Sequence, residues 1–244
     1  MLQSLLLITP KIVRYTSPMK KVIVITGGSD GFGKAVAQNL RNDFTVVILG
    51  REKNKTEKVA REIGVDFVVA DITDPRQVKQ AIESVVSKYA QIDVLVNNAG
   101  VWIQGLLEEN DDARIRDTLD VNVYGTILVT KYAVPFMKSQ RTGKIINVIS
   151  QAGLNKKAER SVYNASKWAL TGFTKSLQLE LGIHGISVCG FYPGAMKTSF
   201  FSKAGIEKDT KNYMNPDEVA KSVRFIIEAP DNLDIPEFGI QPIE

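Results

Sequence analysis

Residues 21–36, "KVIVITGGSDGFGKAV", decide the fold of this 244-residue chain. The β-branched run KVIVIT reads as a strand buried on both faces of a parallel sheet. Past the turn that follows, Phe32, Val36 and Leu40 recur at i, i+4 and i+8, which is one face of a helix. The turn itself carries glycines at 27, 31 and 33. Such a turn lets the backbone approach a pyrophosphate at the helix N-terminus, where unpaired N–H groups favour anions. Its spacing, T-G-x-x-x-G-x-G, departs from G-x-G-x-x-G, and an ordinary tight strand-to-helix turn would look the same.

The pattern repeats downstream. Apolar runs TVVILG (45–50), DFVVAD (66–71), DVLVNN (93–98), KIINVIS (144–150) and GISVCGFY (185–192) alternate with helical spacing, and a weaker run, FGIQP, spans 238–242. Pro75 behind Asp74 and Pro216 behind Asn215 each set a helix start, with the Asp or Asn as N-cap. Strand-helix alternation without linker or repeat predicts a single doubly wound α/β domain over residues 20–244, with a mainly parallel seven-stranded sheet.

Composition narrows the function classes. Lys11, Arg14, Lys20 and Lys21 fall in an acid-free opening stretch and account for the whole net charge of +4. The neutral remainder gives no electrostatic case for nucleic acid. No apolar run approaches a membrane span, and the lone Cys189 excludes an internal disulfide, so a soluble, cytoplasmic protein is expected. His184 stands alone between two glycines, which argues against a metal site. Residues 1–19 belong to no later pattern. They read as a flexible extension or the product of an upstream start, with a faint likeness to an organelle transit peptide.

A second stretch, SQAGLNKKAERSVYNASK (150–167), places Tyr163 and Lys167 four apart on one helix face. Alone, that pairing is no better than chance in so lysine-rich a chain. In company it is specific. TGGSDGFG (26–33), NNAG (97–100), Ser150, YNASK (163–167) and PGAMKT (193–198) follow the order and spacing of the short-chain dehydrogenase/reductase family, over residues 21 to about 228. The chain therefore resembles a Rossmann-like, single-domain member of that family.

The resemblance implies a catalytic set of Ser150, Tyr163, Lys167 and Asn122. In it Tyr163 exchanges the proton, Ser150 holds the carbonyl oxygen and Asn122 supports a water-linked path to Lys167. A neighbouring Lys167 ammonium and the positive oxidised nicotinamide are both expected to draw the Tyr163 pKa down. Gly27, Ser29, Asp30, Gly31, Phe32 and Gly33 would cradle the cofactor. Asp71 and Ile72 would meet the adenine, and Asn98, Ala99 and Gly100 would frame the pocket. Pro193, Gly194 and Thr198 would pass along the nicotinamide, and Tyr163 and Lys167 would also touch the cofactor. Gly50 stands where NAD-preferring members carry Asp, and Arg51 follows it, which favours NADP(H) over NAD(H). Asp30 counts against this, because many NADP-preferring relatives carry a basic residue there.

The expected reaction interconverts a carbonyl and an alcohol, on a 3-oxoacyl, 3-hydroxy acid or general carbonyl substrate. Trp102, Leu154, Met196, Phe200 and Phe201 are expected to form an apolar wall, with Lys156, Lys157, Arg160 and Lys203 as a cationic rim. The resemblance also implies a homodimer or homotetramer. Two rival readings are a non-catalytic NADP(H)-sensing module and an epimerase or dehydratase of the related extended family. The C-terminus, EAPDNLDIPEFGIQP, departs from the glycine-rich ending common in single-domain members.

Overall fold

The computed structural model describes residues 20–243; the expected extension over 1–19 lies outside them. Seven strands form one all-parallel sheet: β1 (Val22–Thr26), β2 (Thr45–Gly50), β3 (Asp66–Val69), β4 (Val94–Asn97), β5 (Gly143–Val148), β6 (Ile186–Pro193) and β7 (Glu237–Ile240). Their spatial order is β3-β2-β1-β4-β5-β6-β7. The order reverses between β1 and β4, and beyond the carboxyl ends of strands at such a switch point a crevice opens.

The apolar runs are continuous because each strand feeds two cores. Ile23 and Ile25 of β1 pack on one side with α1 (Gly31–Leu40) and α7 (Pro216–Glu228). Val22 and Val24 face the other side, against α3 (Pro75–Tyr89), α5 (Thr126–Gln140) and α6 (Ser161–Gly182). Helices α2 (Lys53–Ile63) and α4 (Asp112–Leu119) complete the set. The edge strands differ: β3 and β7 are only partly buried, and β3 stops two residues short of the DFVVAD run because the chain turns at Asp71.

Both predicted helix caps form. Asp74 accepts from the Arg76 amide at 2.8 Å, and Asn215 accepts from the Asp217 amide at 3.0 Å. Four buried polar side chains cross the sheet where its sequence looks apolar. The Asn97 amide donates to Thr130 and to Asn147, and Asn147 donates to Thr174, each at 2.9 Å. These bonds tie the strands that carry the site to α5 and α6.

Lys144 is buried on β5, and its ammonium caps the end of α7. It donates to the carbonyls of Ile226 at 3.3 Å and Ile227 at 3.1 Å, and to that of Ala229. Lys144→Ala should therefore leave carbonyls at a helix end without partners and lower stability by about 1–3 kcal/mol. Urea denaturation measures it, and an unchanged midpoint would show that water takes over the cap.

Candidate active site

The turn after β1 is shaped by close approach. Gly27 has φ +64°, and a Cβ there would lie 2.9 Å from the Ala99 Cα. A Cβ on Gly33 would lie 2.5 Å from the Gly27 carbonyl oxygen. Asn98 fixes the facing loop: its amide donates to the Thr26 carbonyl at 3.0 Å and the Gly27 carbonyl at 3.4 Å. Thr26 in turn accepts the backbone N–H of both Asn98 and Ala99 at 3.0 Å. The result is a cleft of roughly 460 Å³ over the carboxyl ends of the central strands.

Of the residues expected to meet a cofactor or substrate, all but Gly33, Asn122 and Leu154 line this cleft. Gly33 lies beneath the turn. Asn122 is fully buried in a wide π-type turn, Asp120–Gly125, between α4 and α5. Its side chain accepts from the Val101 amide at 2.8 Å and donates to the Val101 carbonyl at 3.0 Å and Ser166 at 3.1 Å. Asp71 lines the cleft and also holds a turn, accepting from the Thr73 amide at 2.9 Å and hydroxyl at 2.8 Å. Gly31 and Thr198 face each other across the cleft, a Cβ on Gly31 reaching 3.4 Å from that of Thr198.

At the end of β2, a side chain on Gly50 would collide with the Thr56 hydroxyl of α2. No acid fits there without moving α2, while Arg51 stays exposed at the mouth. Asp30 is not a free acid. It caps α1, accepting from the Gly31 amide at 2.7 Å, and its other oxygen accepts from Lys55 at 2.7 Å, from Ser199 at 3.2 Å and from Lys203. Burial alone would raise its pKa, but the bonds from Lys203, Lys55 and Gly31 outweigh that and hold the carboxyl well below the usual carboxylate range. Lys55, on the first turn of α2, was not foreseen; only the folded chain brings it to a residue 25 positions away.

Ser150 follows β5 with φ +124°, a region non-glycine residues rarely occupy and one that concentrates at functional sites. Its hydroxyl lies beside Tyr163, which is 4% exposed. The Lys167 ammonium is 5.7 Å from the centre of the tyrosine ring and donates to the Val148 carbonyl at 3.2 Å. Burial pushes the Tyr163 phenol above its ordinary value, and the Ser150 hydroxyl and the Arg160 charge oppose this without overcoming it. Burial lowers Lys167 to about 8. The expectation that Lys167 would draw Tyr163 down is thus not met. In this state the ammonium is turned to a backbone carbonyl, and burial disfavours the charged form of both groups.

The apolar wall forms around Trp102, whose ring centre is 4.3 Å from that of Tyr163, 6.1 Å from Phe200 and 4.9 Å from Phe201. Met196 lines the cleft; Leu154 does not, because its side chain points outward on the loop after β5 and is exposed. The expected cationic rim separates into parts. Lys203 is paired with Asp30, Lys156 and Lys157 are exposed, and only Arg160 is half-buried, its guanidinium 5.0 Å over the Trp102 ring. Among the described residues no helix is long and apolar enough to cross a membrane, and no group of three or more His, Cys, Asp or Glu could hold a metal ion.

The model of the short chain dehydrogenase family matches residues 21–209, and the chain belongs to that family of oxidoreductases. A curated relative, carbonyl reductase family member 4 of Xenopus tropicalis, is 34% identical over 87% of this chain and 93% of its own. An alcohol dehydrogenase of Thermococcus sibiricus, solved with 5-hydroxy-NADP, superposes with a TM-score of 0.84 at 27% identity, covering 91% of this chain and 97% of its own. A 3-ketoacyl-(acyl-carrier-protein) reductase of Brucella melitensis, solved with NADH, superposes at 0.85 and 28% identity, covering 91% and 97%.

The depressed Lys167 has a consequence for stability. Its folded pKa lies below the unfolded value, so burying the ammonium is a penalty that is full below about pH 8 and fades as pH rises to the unfolded pKa. Lys167→Met should stabilise the cofactor-free protein at pH 7, on the order of 2 kcal/mol, and by less at pH 10. Denaturant melts at the two pH values would reveal it. A gain that does not shrink at high pH would rule out the charge as its cause.

Proposed function

We propose that this chain is an NADP(H)-dependent oxidoreductase that interconverts a carbonyl and an alcohol, with Tyr163 as acid and base. One observation carries the reading: Ser150, Tyr163 and Lys167 converge in the cleft that the glycine turn opens at the strand switch point. The turn, where Gly27 and Gly33 have no room for a side chain, fits the close approach of a dinucleotide. When bound, the nicotinamide supplies the hydride and, once oxidised, a positive charge beside the phenol.

The protein supplies the rest. The Ser150 hydroxyl donates to the substrate oxygen as negative charge gathers there. Tyr163, kept protonated by burial, gives that oxygen its proton, which favours reduction at neutral pH. Lys167 returns a proton to the phenol. Asn122 and Lys167 both approach Gly100, 3.1 and 3.9 Å from where a Cβ would lie, which brings the two ends of the water-linked path to one glycine. A purely cofactor-sensing module would not need this set, nor a strained Ser150.

The preference for NADP(H) rests on Gly50, which has no room for an acid, and on Arg51 beside Lys55, both lining the cleft. The homodimer or homotetramer is proposed with it. Trp168, Leu179 and Ile183 lie on one face of the α6 region and are 53%, 82% and 84% exposed, a surface suited to a second copy.

NADPH oxidation at 340 nm across a panel of ketones, aldehydes and oxo acids tests the reaction. Tyr163→Phe should lower kcat by at least ~100-fold while the NADPH Kd stays within about threefold. Retained turnover would mean that another residue supplies the proton. For the cofactor, Arg51→Ala should reduce the NADPH:NADH affinity ratio by about tenfold, read by fluorescence titration. A constant ratio would remove Arg51 from the selectivity.

A further inference from the structure

We propose that Arg160 is a carboxylate-binding residue and that the substrate is an oxo acid carrying its carboxylate a few bonds from the reacting carbonyl. This rests on the carbonyl-reductase reading of the same site and deepens it.

Arg160 immediately precedes α6, three residues before Tyr163, and lines the cleft. It is half-buried, yet no carboxylate pairs with it and no side-chain hydrogen bond occupies it among the described residues. The other half-buried arginine among the described residues, Arg224, is engaged: it binds Asp43, Glu228 and Asn39. Instead the Arg160 guanidinium lies 5.0 Å over Trp102, the ring that itself covers Tyr163. A guanidinium held over a ring without a hydrogen-bond partner keeps its paired N–H donors for a planar anion.

Neighbouring charges strengthen the case. Arg160 lies close enough to Tyr163 to act on its pKa, and Lys208 feels burial first and then the charges of Arg160 and Lys157. Three cations thus crowd one wall, with Glu159 as the acid among them, and Glu159 accepts from the Gln104 amide at 3.3 Å. Lys208 donates to the other end of the same amide at 2.9 Å. That network commits Gln104 and Lys208 and leaves Arg160 as the half-buried donor on the cleft wall, with Lys156 and Lys157 exposed beside it.

Distance selects the anion's source. Arg160 is one ring removed from Tyr163, so its partner must be part of the substrate's reacting end. A carrier-bound or coenzyme-bound thioester places its phosphates at the far end of a long arm and presents no charge there. A free oxo acid does.

The test compares 2-, 3- and 4-oxohexanoate with their methyl esters, following NADPH oxidation with wild type, Arg160→Ala and Arg160→Lys. Wild type should prefer the acids in kcat/KM, and Arg160→Ala should lower the acid-to-ester ratio by about tenfold or more, with Arg160→Lys restoring part of it. The ratio is the decisive quantity, because a changed Tyr163 pKa or a loosened loop would affect acid and ester alike. An unchanged ratio, or no preference for the acid in wild type, overturns the proposal. If wild type reduces none of these compounds, the reductase reading fails separately. Calorimetric titration of hexanoate into the protein with saturating NADP+ then decides the anion site: binding that Arg160→Ala weakens about tenfold upholds it, and binding that the variant leaves unchanged, or none, overturns it.

Discussion

The hydrogen bonds from Asn98 to the end of β1 are the constraint on which the site depends. They join the two strands at which the sheet reverses its order. There the glycine turn and the loop after β4 pass so close that a methyl group at Gly27 or Gly33 would meet backbone. Because Asn98 satisfies carbonyls that no strand neighbour can reach, the backbone can leave the sheet and still open a cleft. Thr26 repeats the device in the opposite direction, accepting two amides. The chain spends side-chain polarity here on shaping an opening.

Behind that opening a second polar layer holds the reacting groups. Asn97 and Asn147, paired across β4 and β5, reach α5 and α6 through Thr130 and Thr174. Helix α6 carries Tyr163 and Lys167, so these bonds set how far the pair projects into the cleft. The same burial raises the phenol and depresses the ammonium. Burial thus holds the phenol protonated, a state that suits a proton donor waiting for a carbonyl oxygen, and brings Lys167, at about 8, close to neutrality while it is still an ammonium at pH 7. Stability is given up for this arrangement, as the strained Ser150 backbone also indicates.

The charges around the cleft are organised by pairing. Asp30, an acid at a place where a phosphate-binding residue was looked for, is neutralised by Lys55 and Lys203 from two distant segments. Lys203 is thereby withdrawn from the substrate side, and Arg160 remains there.

The sequence by itself determined the doubly wound fold, the strand and helix order, both proline-led helix starts and most of the residues that line the cleft. It could do so because these features are local or periodic: continuous apolar runs, an i+4 pair, a cap before a proline, glycines where backbones meet. Only the tertiary structure decided which charges are spent on one another, since Asp30, Lys55 and Lys203 are far apart in the chain and no periodicity connects them. It likewise decided that Leu154 points away, that Trp102 covers Tyr163, and that Lys167 turns to Val148. Ionisation and access follow from burial and from the partner a group finds, and both are properties of the packed chain.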